Sequence, residues 1–202
     1  MSSRDIRRRI ALDRKNTVKR FLRHKRKNLL ATSGIYPYII VLDNLKPTFN
    51  IGKIFRSAEA FSAHEVHLIG TDFFDPSPAV GAFKYVPARF HETFDTCYQD
   101  LTKRGYRMYT LEPDSGSSLI DIRLPERSAF IFGHEEFGIS FERSKYKEIA
   151  ALQIPQFGRS QSLNVSVAAS IVMYEYIRQN GETTQPETHK AIASNLKIGC
   201  SI

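Results

Sequence analysis

An α/β domain with a mostly parallel sheet and helices on both faces, preceded by a basic helical arm, is the architecture this sequence predicts. Three observations point there. Apolar runs rich in β-branched residues alternate with stretches of helical spacing through the middle of the chain, the order in which parallel strands and crossover helices occur. Positive charge is concentrated at one end. The 202 residues are 42% hydrophobic and 25% charged, a globular balance that predicts one core of ordinary size and no second large domain.

The arm comes first. Residues 1–28 carry twelve Lys or Arg against Asp5 and Asp13, a local balance of +10; the whole chain sums to +8, so residues 29–202 sum to −2. The basic character therefore belongs to an arm, residues 1–30, rather than to the body. Such an arm suits a phosphate backbone, where each neutralised phosphate releases counterions. Arg7, Arg8, Arg9, Arg14, Lys19, Arg20, Arg23, Lys25, Arg26 and Lys27 are its candidate contacts to such a backbone. A solvated charged helix is the plainer alternative, and a calmodulin-target-like or membrane-surface amphipathic helix is disfavoured because Ile6, Ile10, Phe21 and Leu22 make only a thin apolar stripe. A helix of about 25 residues reaches roughly 37 Å.

The body spans residues 31–180. Tyr38 to Leu42, Val66 to Gly70, Arg107 to Leu111, Ala129 to Phe132 and Ala151 to Pro155 read as buried strands, and Ile51 to Phe61 and Phe94 to Arg104 as helices. Ser162 to Gln179 reads as the strongest helix, with Val165, Ala168, Ala169, Val172 and Tyr176 three and four apart. Beyond Asn180 the composition turns polar around Pro186, so residues 181–202 read as a tail. No run approaches the 18 or so apolar residues of a membrane span, and no apolar leader opens the chain, so a cytoplasmic protein is expected. Cys97 and Cys200 lie far apart without CxxC spacing; neither a disulfide framework nor a cysteine zinc site, nor any other metal site, is expected.

In an open parallel sheet the ligand sits beyond the carboxyl ends of the strands, which directs attention to three segments. Asn50, Gly52, Arg56 and Ala58 follow the first strand. Gly133-His-Glu135-Glu136-Phe-Gly138 follows the fourth, with two glycines that let backbone approach a ligand. Ile154-Pro-Gln-Phe-Gly158-Arg-Ser-Gln-Ser162-Leu163-Asn164-Val-Ser166 follows the fifth. Each has a bland explanation alone: Asn50, Ser162 and Asn164 as helix caps, Arg56 as a surface residue, the glycines as turns, and His134 as no metal site by itself.

Together the three segments resemble, in order and separation, the motifs of the SpoU (TrmH) family of RNA 2′-O-ribose methyltransferases within the SPOUT superfamily. The third, with Ile154, Pro155, Gly158 and Ser162-Leu-Asn-Val-Ser166, is the most specific; Gln156 departs from the Met common there. The resemblance covers about residues 38–178. It implies a doubly wound sheet whose C-terminal part forms a trefoil knot, and a homodimer with active sites at the subunit interface. It implies S-adenosyl-L-methionine as cofactor, near Leu111, Gly133, Ile154 and Leu163. Arg56, Asn50, Glu135, Ser162 and Asn164 are the implied catalytic group, and structured RNA, tRNA or rRNA, the implied substrate. A non-catalytic RNA-binding or assembly protein with the same fold, a SPOUT base methyltransferase and a generic nucleotide enzyme remain as alternatives.

Overall fold

The protein is described from a computed structural model, which covers residues 3–47, 49–113 and 116–181. The side chains of residues 3–8, 10 and 11, and hence Arg7 and Arg8, lie outside the description, as does the tail beyond Gly181 with Cys200.

Seven parallel strands form one sheet: β1 (Tyr36–Asp43), β2 (Ala63–Ile69), β3 (Ala88–His91), β4 (Arg107–Leu111), β5 (Ser117–Ser118), β6 (Ser128–Phe132) and β7 (Ala150–Gln153). Their order across the sheet is β3-β2-β1-β6-β4-β7-β5, so the winding reverses between β1 and β6. The helices are α1 (Ser3–Asn28), α2 (Phe49–Ala60), α3 (Phe94–Lys103) and α4 (Val165–Asn180). β1 is apolar at every position from Tyr38 to Leu42 because both of its faces are covered. Tyr38, Ile40 and Leu42 face a core built with α2, α4 and Phe21 of α1, whereas Ile39 and Val41 face one built with α3 and the segment around Tyr146 and Ile149.

The five expected strands are present, β4 with the expected ends and the other four with shifted ones. β7 stops at Gln153 rather than Pro155, a residue without an N–H to give the ladder. β2 begins at Ala63 and hands over to Gly70, whose φ of +63° turns the chain off the sheet. β3 and β5 were not expected. One is a four-residue strand with an exposed Arg89, the other a pair of serines, and neither carries an apolar run. α4 begins three residues later than Ser162, because Asn164 caps it by accepting a hydrogen bond from Ser166 N. Asn50 does not cap α2, which already starts at Phe49.

The basic arm is one 26-residue helix, and its C-terminal part is tied to the body. The Phe21 ring packs among Phe73, Phe74 and Phe83, at centroid distances of 5.0, 5.3 and 5.7 Å. Buried Asn28 donates to Phe83 O and Val86 O and accepts from Ala88 N of β3. Arg9, Arg14, Lys19, Arg20, Arg23, Arg26 and Lys27 are exposed, while Lys25 is half-buried with its ammonium 4.0 Å from the Phe90 ring centre. No helix among the described residues is long and apolar enough to cross a membrane.

Candidate active site

The three motif segments meet at the carboxyl ends of the central strands, beside the reversal of winding, where open α/β sheets place their ligands. Asn50 lies in the first turn of α2, after β1. Glu135 lies in the loop after β6, and Asn164 at the N-cap of α4, after β7. A polar chain joins them. Asn164 Oδ1 accepts from Ser166 N (3.0 Å) and Ser166 Oγ (2.6 Å), and its Nδ2 donates to Asn50 Oδ1 (3.3 Å). Asn50 Nδ2 in turn donates to Glu135 Oε1 (3.0 Å). Each amide gives with its nitrogen and accepts with its oxygen, so the chain has one polarity, running from the start of α4 to a carboxylate. Residues 85 and 114 positions apart are thereby locked together.

The loop that presents Glu135 is shaped by groups that sequence reasoning passed over. His134 and Gly138 exchange backbone hydrogen bonds of 2.7 and 2.9 Å, and His134 Nδ1 accepts from the N–H of Glu136 (3.0 Å) and Phe137 (3.3 Å). Gly138 takes φ +71°, and a Cβ on Gly133 would lie 2.4 Å from the Gly138 carbonyl carbon, so both glycines are required by the turn itself. Buried Asp43, the last residue of β1, anchors the far side by accepting from Ser140 N (2.6 Å) and Oγ (2.7 Å). Burial raises the Asp43 carboxyl above its ordinary value, with the two Ser140 bonds opposing. Lys46 adds a 2.8 Å ion pair to Glu136, whose carboxyl is lowered by that contact. A lone His or Lys in a loop, or an Asp ending a strand, gives no sequence signal, because its role depends on which loop folds against it.

The other expected site residues divide into two groups. Leu111, Gly133 and Ile154 stand at or just past the ends of β4, β6 and β7, which are neighbours in the sheet, and Leu163 directly precedes the cap of α4; all four are half-buried. Arg56 and Ser162 do not join the polar chain. Six residues after Asn50, Arg56 is rotated by about 120° around α2 and points from its exposed face. Among the described residues no side-chain hydrogen bond or ion pair engages it. Ser162 is exposed in the connection before α4. A groove of about 480 Å³ lies to one side, between the ends of β1 and β2 and the residues around Phe94, Ser140 and Tyr146, and none of the expected site residues lines it.

A family model described as the SpoU rRNA Methylase family matches residues 37–174. The chain is 30% identical over 145 residues to a tRNA (guanosine(18)-2′-O)-methyltransferase of Thermus thermophilus, covering 69% of this chain and 74% of that one. It is 28% identical over 161 residues to the 23S rRNA (guanosine-2′-O-)-methyltransferase RlmB of Xylella fastidiosa, covering 77% of this chain and 64% of the relative. The fold superposes on the SpoU methyltransferase AviRb from Streptomyces viridochromogenes, solved in complex with AdoMet. That match has a TM-score of 0.63 at 22% identity, over 73% of this chain and 62% of that one.

Proposed function

Since this chain belongs to the SpoU rRNA methylase family, we propose that it transfers a methyl group from S-adenosyl-L-methionine to a ribose 2′-hydroxyl in tRNA or rRNA. The observation that carries the reading is the Asn164–Asn50–Glu135 chain, which draws three distant motif segments to one end of the sheet. The relatives methylate guanosine ribose in the tRNA and 23S rRNA that their names state.

The residues present fit the cofactor: half-buried Leu111, Gly133 and Ile154 stand at the ends of three neighbouring strands, with half-buried Leu163 before the cap of α4, so apolar side chains and exposed loop backbone would hold its adenine and methionyl groups. The bound sulfonium supplies an activated methyl with a neutral leaving group. Positioning of the 2′-hydroxyl in line with that methyl then supplies much of the rate. Glu135 and Asn50 orient the hydroxyl side of the site. Arg56 binds the phosphate beside the target ribose and polarises the hydroxyl; its guanidinium stays protonated, which makes it a binding group before it is a base.

The isolation of Arg56 from the polar chain within one subunit supports a homodimer in which the site is shared between two copies. Family membership also implies a knotted C-terminal part; α4, its last element, is tied to the segment before β6, where Tyr176 Oη donates to Glu126 O and Gln179 accepts from Leu124 N. The exposed cations of α1 serve as an RNA clamp acting on phosphates and shape. Incubation with tritiated S-adenosylmethionine and total tRNA or rRNA, followed by digestion to nucleosides, tests the function. A 2′-O-methylnucleoside is expected; a methylated base, or no transfer to either RNA, would overturn it.

A further inference from the structure

On the sheet face away from α2 and α4, three groups unused in methyl transfer meet between β2, β3 and α3. His67, His91 and Cys97 place one ligand atom each within 4.8 Å of the other two. His67 Nδ1 lies 3.1 Å from His91 Nε2 and 3.4 Å from Cys97 Sγ. Ligands of a tetrahedral zinc ion with ordinary bond lengths stand about 3.3 Å apart for two nitrogens and about 3.6 Å apart for nitrogen and sulfur. Two of the three separations therefore need only a few tenths of an ångström. Register explains the meeting: Arg89 pairs with His67 and His91 with Ile69, so both histidines project from one face, a pleat apart, toward the first turn of α3.

The surroundings set the protonation states. His67 Nε2 lies 3.0 Å from Glu65 Oε2, so it donates its proton there and turns the Nδ1 lone pair toward the cluster. Burial opposes ionisation of Glu65, but hydrogen bonds from His67, Arg104 and Arg89 outweigh it and hold the carboxyl well below the usual carboxylate range. A carboxylate behind the outer nitrogen of a histidine is the arrangement that fixes metal-binding imidazoles. Burial pulls both histidines down, His91 to about 4, and pushes the Cys97 thiol up.

We propose that His67 Nδ1, His91 Nε2 and Cys97 Sγ form a zinc site, with water as fourth ligand, that clips β2, β3 and α3 together. Half-buried His91, on the edge strand, gives the ion its way in. Binding breaks the S–H bond of Cys97, forms a Zn–S bond and releases one proton to solvent. The proton on His91 Nε2, donated to His67 Nδ1 before binding, moves to His91 Nδ1, so both histidines stay neutral and no electron is transferred. The site stiffens β3, the strand that holds the arm through Ala88 N and Phe90. Spacings of 24 and 6 residues match no metal motif, so nothing in the order of residues announces the site.

Titration of the full-length Cys200→Ser protein with Co²⁺ tests the proposal without interference from the second thiol. Expected are one ion per chain, thiolate-to-cobalt absorption in the near ultraviolet and loss of that absorption when Zn²⁺ is added. Cys97→Ser removes the band. His91→Ala weakens Co²⁺ binding about tenfold or more, and Glu65→Gln weakens it ~10–100-fold while leaving the thiolate band in place. Circular dichroism establishes that each variant is folded; should Cys97→Ser unfold, His91→Ala at the edge strand carries the same decision. A folded Cys200→Ser protein without thiolate absorption, or His91→Ala binding Co²⁺ as tightly as its parent, overturns the site and leaves a hydrogen-bonded cluster.

Discussion

The roles proposed for Arg56 and Asn164 differ in ways that separate measurements can read. Arg56 is exposed and unengaged among the described residues, so its replacement disturbs little of the fold. Arg56→Ala is expected to lower methyl transfer by about 10²–10³-fold, the size of loss when one preorganised charge-stabilising group is removed. S-adenosylhomocysteine affinity by calorimetry should stay nearly unchanged; loss of that affinity would place Arg56 at the cofactor instead. Asn164 both caps α4 and donates to Asn50 Oδ1. Asn164→Ala removes the cap of α4, costing about 1 kcal/mol in urea unfolding, and leaves Asn50 Oδ1 without its donor, so activity should fall further than stability. A stability loss with full activity would detach the polar chain from catalysis.

At the scale of elements, α1 has two parts in different surroundings. Arg9, Arg14, Lys15 and Lys19 are exposed, where the proposed clamp would meet phosphate, whereas Phe21, His24 and Asn28 are buried against the body. Removal of residues 1–19 should therefore weaken RNA binding and flatten its salt dependence, by about 0.7–0.9 in log–log slope for each phosphate no longer neutralised, with little change in melting temperature. An unchanged slope rules out the clamp. Asn28→Ala is the complementary change: Phe83 O, Val86 O and Ala88 N each lose a partner, and an unsatisfied buried group costs about 1–3 kcal/mol. Thermal unfolding should register that loss, while RNA affinity per folded molecule changes less.

For the whole molecule, the decisive question is whether one subunit holds a complete site. Asn50, Glu135 and Asn164 converge within the chain, and Arg56 faces outward. Sedimentation is expected to give twice the 23.1 kDa chain mass. Mixed dimers of Arg56→Ala and Asn164→Ala subunits should regain about half the methyl transfer of the native dimer, because one of the two shared sites then receives both native residues. Mixtures as inactive as either parent would mean that Arg56 serves its own subunit.

Five of the seven strands and the three α-helices of the body were legible in the residues, because a strand covered on both faces must be apolar without interruption and a core-facing helix must repeat apolar side chains at a period of 3.6, and both requirements are local. The motif residues were legible too, since their types and order survive in one dimension, and so was the arm, as a block of charge. Tertiary structure alone decided the rest. That β4 inserts between β6 and β7, that Asn164 rather than Ser162 caps α4, that Arg56 turns away from Asn50, and that His67, His91 and Cys97 share one pocket all depend on strand order, register and helix rotation. Those follow from burying many side chains at once, a condition that no stretch of sequence contains by itself.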